Sequence, residues 1–162
     1  MKTMIHTLSF DGAILQRGFW LYVWEIITPH GKKVHYVGRT GDSGSPHATS
    51  PYQRTGQHLS YQKTQNMLRQ NLERRGISPE RCFSFRLVAY GPIFSEAVDM
   101  QMHKAPRDVV AALEKKLANA LAESGYEVIN VVRCQKRLDM EHWRRVHKSF
   151  AQHFPALKHV ED

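Results

Sequence analysis

Residues 18–58, GFWLYVWEIITPHGKKVHYVGRTGDSGSPHATSPYQRTGQH, are the stretch that decides the fold. The stretch contains two runs rich in Val, Ile, Tyr and Trp, at 19–28 and 32–39, and this composition favours β-strands. Thr28-Pro29-His30-Gly31 lies where the two runs meet and is typical of a tight turn. The sequence therefore predicts a β-hairpin around which the rest of the chain is organised.

Polar side chains accompany the predicted hairpin. Tyr22 lies in the first strand and Tyr36 in the second, whereas Arg54 and His58 follow a Gly/Ser-rich loop at 40–51. Arg54 and His58 are four residues apart, so on a helix they share one face. Together these four residues predict a polar site beside the sheet. Cross-strand packing of the tyrosines and surface positions for the other two remain the alternative.

Outside the hairpin, the sequence predicts one more strand and several helices. We expect a weak leading strand within 1–17 and a further strand at 82–90, which Gly91-Pro92 ends. The expected helices lie at 54–75, at 95–104 with a break at Ala105-Pro106, and at 107–123. A short apolar segment at 126–132 and an amphipathic helix at 138–154 follow. This order predicts an α+β fold, a small three-stranded antiparallel sheet flanked by helices, with an extra C-terminal helix.

Composition narrows the class of protein. The chain has 162 residues, 41% of them hydrophobic and 23% charged, which is typical of one folded domain. No apolar run approaches the ~20 residues of a membrane helix, so no membrane partner is expected. The two cysteines, Cys82 and Cys134, are far apart in sequence and indicate neither a disulfide framework nor a zinc site. We therefore expect a cytoplasmic protein.

The chain is strongly basic, with a formal net charge of +8. Such a surplus suggests a polyanionic partner such as nucleic acid, and a generic basic surface that aids solubility explains the charge equally well. The predicted helix at 54–75 contributes Arg54, Lys63, Arg69, Arg74 and Arg75. These side chains form either a solvated polar face or a patch that contacts phosphates.

Glu114 belongs to the predicted helix at 107–123 and lies at the edge of its apolar stripe. From this position its carboxylate can face the sheet. A surface ion pair with a nearby lysine explains a lone helical glutamate equally simply. The residue gains significance only together with the hairpin.

Taken together, these residues resemble the GIY-YIG nuclease family. The first motif appears as Trp20-Leu21-Tyr22 and the second as Tyr36-Val37-Gly38, and the family's helical Arg, frequent His, metal-binding Glu and late Asn are matched by Arg54, His58, Glu114 and Asn130. The resemblance covers 18–132, which leaves 1–17 as an N-terminal extension and 133–162 as a C-terminal helical appendage. Three features depart from the pattern: Trp20 replaces a glycine, 93–106 resembles an insertion, and the 40–51 loop is long.

The resemblance implies a metal-dependent endonuclease that hydrolyses phosphodiester bonds, with DNA favoured over RNA. Mg²⁺ or Mn²⁺ is the implied cofactor, and Mg²⁺ is often held by only one or two carboxylates. The implied roles are metal ligand for Glu114, phosphate clamp for Arg54, general base for Tyr22, and water orientation or a share of the base role for Tyr36. His58 would transfer a proton or hydrogen-bond a tyrosine, and Asn130 would fix local geometry. The basic side chains Arg39, Lys63 and Arg69 are the expected nucleic-acid contacts. Arg39 is also the alternative clamp because of the long loop.

Two readings from other classes stay open. The first is a nucleic-acid-binding module that has a nuclease-like fold and no turnover. The second is a structural or partner-binding domain that depends on the apolar and basic C-terminal helix.

A tyrosine can serve as a base only if its pKa is lowered, and we expect a neighbouring arginine or metal to lower it.

Overall fold

The computed structural model describes residues 2–157, in which a three-stranded antiparallel sheet carries helices on both of its faces. The strands are β1 (Phe19–Ile27), β2 (Lys33–Arg39) and β3 (Ser84–Phe94), and the helices are α1 (Pro51–Leu59), α2 (Met67–Glu73), α3 (Met100–Glu123) and α4 (Met140–Ala151). The strand order is β2-β1-β3. The predicted α+β class with a three-stranded antiparallel sheet is therefore confirmed.

The predicted hairpin forms β1 and β2. The backbone N–H of Thr28 donates to the carbonyl of Lys32 at 2.8 Å, and Gly31 takes a positive φ of 78° in the turn. In the resulting register Tyr22 lies opposite Gly38, and Trp24 lies opposite Tyr36. Because side chains alternate along a strand, this register places both tyrosines on the same face of the sheet.

Each face of the sheet has its own apolar core. One face packs against α3 and α4, and its buried residues include Leu21, Val23, Val37, Leu113, Leu117, Trp143 and Phe150. The other face packs against α2, and its buried residues include Tyr22, Trp24, Tyr36, Leu68 and Leu72. The predicted site thus lies on the α2 face, among residues that are part of a core. Complete burial of one Leu side chain stabilises the fold by about 1.5–3 kcal/mol.

The single helix predicted at 54–75 is wrong, because the chain forms two short helices there. α1 begins earlier, at Pro51. Ser50 is its N-cap residue, because the Ser50 side chain accepts the N–H of Gln53 at 3.2 Å. Pro is favoured in the first turn because its missing N–H has no helical partner there. Between the two helices, the Asn66 amide donates to the Ser60 carbonyl at 2.8 Å and stabilises a turn instead of a helix.

Two predicted breaks at proline are also wrong. α3 runs without interruption through Pro106, because Asp99 caps it by accepting the N–H of Met102 and its inner stripe is buried. β3 continues through Pro92 to Phe94, where the sequence predicted an end at 90. Because β3 pairs with β1 on one side, it is an edge strand, where a proline can leave its missing N–H on the free side.

The N-terminal end of the domain differs from the prediction, whereas the predicted C-terminal helix forms. Residues 1–17 contain no strand within the described part, and a 3₁₀ helix at Gly12–Leu15 is the regular structure there. The predicted C-terminal helix is α4, whose apolar side chains Trp143, Val146 and Phe150 are buried in the core. α4 is therefore a packing element of the domain.

No helix among residues 2–157 is long and apolar enough to cross a membrane.

Gly38 determines how closely the Tyr22 ring can approach β2. A Cβ atom at position 38 would lie 2.5 Å from three atoms of the Tyr22 phenol. We expect Gly38→Ala to reduce the free energy of unfolding by about 1–3 kcal/mol, the usual cost of overpacking a core. Thermal or urea unfolding measures this, with Gly44→Ala as the control because a Cβ there has nothing within 4 Å. Equal stability of the two variants would contradict the expectation.

Candidate active site

Four of the predicted residues meet on the α2 face of the sheet. The Tyr22 hydroxyl lies 2.5 Å from Nε2 of His58, and the Tyr36 ring packs edge-on against the same imidazole with ring centroids 5.2 Å apart. The Arg54 guanidinium lies close enough to Tyr22 to oppose the rise of the Tyr22 pKa. The hairpin and α1 therefore bring together Tyr22, Tyr36, Arg54 and His58 as the sequence predicts.

The Tyr22–His58 pair is neutral. Burial, followed by the charge of Arg54, lowers the pKa of His58 to about 4, so the imidazole is uncharged at neutral pH. Burial also raises the pKa of Tyr22 well above its usual value, and this outweighs the opposing effect of Arg54. Tyr22 is therefore a neutral phenol that is hydrogen-bonded to Nε2 of His58. The other ring nitrogen, Nδ1, is buried and has no hydrogen-bond partner among residues 2–157.

Arg54 reaches this site with Asp42 as its partner. Its Nη2 donates to Oδ2 of Asp42 at 2.5 Å, and its Nη1 donates to Oε1 of Gln57 at 3.1 Å. Its Nε is buried without a partner in the described residues. The long loop after β2 therefore provides a carboxylate for Arg54. Asp42 is not among the site residues predicted from the sequence. Its position in a polar loop after the Tyr-Val-Gly motif is the one sequence feature that suggests a role in the site.

Glu114 is held by Arg39 rather than by a surface lysine. The Arg39 Nε donates to Oε2 of Glu114 at 2.8 Å, and both side chains are largely buried. Burial raises the pKa of Glu114 to about 7, although Arg39 acts in the opposite direction. Burial and then the nearby Glu114 carboxylate also raise the pKa of Tyr36. Glu114 therefore belongs to the same site as the tyrosines.

Asn130 fixes the edge of β2 next to Tyr36. Its Oδ1 accepts the backbone N–H of Val37 at 3.0 Å, and its Nδ2 donates to the Val37 carbonyl at 2.7 Å. Both hydrogen bonds go to the backbone, so Asn130 acts on the geometry of the strand. This is the local role that the sequence predicts for it.

Lys63 and Arg69, the other predicted nucleic-acid contacts, lie elsewhere. Arg69 is buried, and its guanidinium donates to the Leu59 carbonyl at 3.0 Å, to Glu80 at 2.5 Å and to Glu73 at 3.4 Å. These bonds tie α2 to the end of α1 and to the 3₁₀ helix at Pro79–Arg81. Lys63 is exposed in the turn between α1 and α2. The structure therefore does not place either residue with the tyrosines.

The donor set fits a cation that takes few ligands from the protein. Residues 2–157 hold no group of three or more His, Cys, Asp or Glu side chains arranged for a metal ion. Mg²⁺ commonly binds one or two carboxylates and fills its other positions with water and phosphate oxygens. Glu114 suits this mode, because within the described part of the chain Arg39 engages its Oε2 and no hydrogen bond engages its Oε1. The charge of the Asp42 carboxylate also raises the pKa of Glu114.

Comparisons with protein families, with curated proteins and with solved structures find no match for this chain. The site is therefore interpreted from its own geometry and chemistry.

His58 and Glu114 have opposite effects on how stability depends on pH. His58 has an ordinary pKa of 6.5 and a folded pKa of about 4, so its unfolded form binds more protons and stability falls as pH drops through this window. Glu114 has an ordinary pKa of 4.5 and a folded pKa of about 7, so stability falls as pH rises through that window.

We therefore expect the melting temperatures of two variants to rise relative to wild type at opposite ends of the pH range. The difference between His58→Gln and wild type becomes more positive as pH falls from 6.5 to 4. The difference between Glu114→Gln and wild type becomes more positive as pH rises from 4.5 to 7. His30→Gln, at an exposed turn position, is the matched control for the first variant. Two pH-independent differences would contradict the burial of both groups.

Proposed function

We propose that this chain is a divalent-metal-dependent endonuclease of the GIY-YIG type that hydrolyses phosphodiester bonds in DNA. One observation carries the proposal: three buried nitrogens of the site, Arg39 Nη1, Arg54 Nε and His58 Nδ1, have no hydrogen-bond partner among residues 2–157. A buried polar group without a partner costs about 1–3 kcal/mol. Two of the three are guanidinium donors, and their position beside two tyrosines and a carboxylate favours an anionic ligand rich in oxygen, such as a phosphodiester.

Arg54 is the proposed phosphate clamp. A guanidinium is planar and permanently charged, so it can donate two parallel hydrogen bonds to phosphate oxygens. In the free protein one of these positions is taken by Asp42. A substrate phosphate therefore replaces the Asp42 carboxylate at Nη2 while Nε gains an acceptor. Arg54 then stabilises the negative charge that develops on the phosphate oxygens in the transition state.

The direction of the tyrosine pKa shifts changes the proposed proton transfer. From the sequence, a neighbouring arginine or metal is expected to lower the pKa of the base, whereas in the structure burial outweighs Arg54 at Tyr22. Tyr22 can still act as the base if its proton moves to Nε2 of His58, 2.5 Å away, while its oxygen takes a proton from the attacking water. His58 becomes an imidazolium in this step. The negative charge of a bound phosphate favours that charged form.

Glu114 is the proposed ligand of the divalent ion, and Arg39 orients its carboxylate. When bound, the ion polarises the phosphate and offsets charge on the leaving oxygen. Protons and the cation compete for Glu114, because its pKa is about 7. Tyr36 and Asn130 complete the site by orienting water and by fixing β2, respectively.

The preference for DNA over RNA rests on the family resemblance alone, whereas the net charge of +8 suits either polyanion. A cytoplasmic location, and the division into an N-terminal extension, a nuclease domain at 18–132 and a C-terminal appendage, stay predictions. The apolar side chains of α4 are buried in the core, which supports packing, rather than partner binding, as the role of the apolar face of α4.

Incubation of the purified chain with supercoiled plasmid and Mg²⁺ or Mn²⁺ tests the proposal. Nicked and linear products should form with metal and should be absent with EDTA. Glu114→Gln protein, purified by the same route, controls for a contaminating nuclease. Tight, salt-sensitive binding with no cleavage of plasmid, single-stranded DNA or RNA under either metal would favour the binding module instead.

A further inference from the structure

A cavity of about 510 Å³ adjoins the candidate active site on the side of β2. Tyr36 and Glu114 line one part of it, and three arginines, Arg74, Arg75 and Arg133, line another. Two predicted catalytic side chains therefore open onto the same space as three cationic ones. The roles given above to Tyr36 and Glu114 leave the three arginines unexplained.

The charge of this cavity is strongly positive. Glu114 is the acidic residue in its lining, and its carboxylate is already paired with Arg39. The arginines have weak, neutral partners or none: Arg74 donates to Gln70 at 3.2 Å, Arg75 to the Asn71 carbonyl at 3.4 Å, and Arg133 has neither a hydrogen bond nor an ion pair within the described residues. All three are exposed. Their guanidinium groups are therefore available to an anion.

Helix stability does not account for all three arginines. Arg74 and Arg75 follow α2 directly, and cations at a helix C-terminus contribute about 0.3–1 kcal/mol. Arg133 comes from a separate segment, after the point where Asn130 is bonded to β2. Convergence of cations from two distant segments on one cavity needs a different reason.

The segment that carries Arg133 is anchored on both sides. Asn130 bonds to Val37 of β2, and Nζ of Lys115 donates to the Cys134 carbonyl at 2.8 Å. Lys115 is the residue after Glu114 on α3. The position of Arg133 is therefore fixed by the same two elements that hold Tyr36 and Glu114.

We propose that this cavity binds backbone phosphates of a polynucleotide next to the phosphate that is cut, with Arg74, Arg75 and Arg133 as the ligands. The identity of the cut phosphate rests on the function proposed above. An arginine fork suits a phosphate diester geometrically as well as electrostatically. The substrate is accordingly a chain of several nucleotides, and a single phosphodiester group uses only part of the binding surface.

The first test measures binding in EDTA, where no cleavage occurs, with a fluorescent DNA duplex. The triple variant Arg74→Gln, Arg75→Gln, Arg133→Gln should bind at least about 10-fold more weakly than wild type, and the slope of log K against log salt should become less steep by about 2–3. The matched control removes three charges from exposed positions of α4, by Arg144→Gln, Arg145→Gln and Lys148→Gln. Of these, Arg145 is paired with Glu141. It should change affinity by less than about 2-fold. Equal losses in the two triple variants, or no loss in either, would overturn the proposal.

The second test uses bis(p-nitrophenyl) phosphate, which has one phosphodiester group. If the arginines bind flanking phosphates, the triple variant should retain kcat/KM on this compound while kcat/KM on duplex DNA falls at least about 10-fold. Parallel losses on both substrates would place the arginines at the cut phosphate and overturn the flanking role. If wild type hydrolyses neither substrate, the nuclease proposal fails, and the binding comparison in EDTA still decides whether this cavity binds DNA.

Discussion

Glu114→Gln should reduce Mg²⁺-dependent plasmid cleavage by at least about 10³-fold, equivalent to about 4 kcal/mol of transition-state stabilisation. The substitution keeps the shape of the side chain and leaves Arg39 an amide oxygen as acceptor, but it removes the anionic ligand. Initial rates at saturating Mg²⁺ measure the effect. Calorimetric titration with Mn²⁺ provides a readout that does not depend on turnover, and the variant should lose the binding heat.

The control for this prediction is Glu123→Gln, which makes the same chemical change at an exposed position of α3. It should leave both cleavage and Mn²⁺ binding unchanged. Cleavage by Glu114→Gln at the wild-type rate would remove Glu114 from the metal site.

Arg54→Ala should lower kcat by about 10²–10³-fold, the usual effect of removing a preorganised donor from a site of developing charge. Arg54→Lys should recover only part of the rate, because an ammonium group is a point charge without the planar fork. Single-turnover cleavage of a labelled duplex separates this effect from substrate binding. The pairing of Arg54 with Asp42 complicates the alanine variant, since it leaves the carboxylate unpaired beside an anionic substrate.

The double variant Arg54→Ala, Asp42→Asn resolves the two effects. Removal of the unpaired carboxylate should restore part of the DNA affinity and none of the single-turnover rate. Recovery of the rate in the double variant would show that Arg54 serves to neutralise Asp42 and has no part in the chemistry.

Local sequence signals predict the hairpin well but not the helices that follow it. Alternating apolar residues and the Thr28-Pro29-His30-Gly31 turn act over a few residues, so β1 and β2 form where the pattern places them. The division of 54–75 into α1 and α2 depends on side-chain hydrogen bonds of Ser60 and Asn66, which compete with helix formation. Helical periodicity does not report that competition.

The members of the site are predictable from order along the chain, whereas their partners are not. Arg39 pairs with Glu114, and Arg54 pairs with Asp42, because folding brings separate segments together. The pKa of Tyr22 illustrates the same limit: the sequence places an arginine nearby, but burial of the ring to 2% exposure decides the direction of the shift. Arg69 is likewise expected at the surface from the sequence, but in the structure it is buried and donates to Glu80 and to the Leu59 carbonyl.

β2 is an outer strand of the sheet, and its free side is covered by the chain that carries Asn130. The His35 N–H donates to the Glu127 carbonyl at 2.7 Å, the Ile129 N–H donates to the His35 carbonyl at 2.8 Å, and the Asn130 amide bonds Val37. An uncovered edge of this kind offers a template on which strands of other molecules can add. The residues that shape the site therefore also protect this edge from intermolecular β-pairing and aggregation.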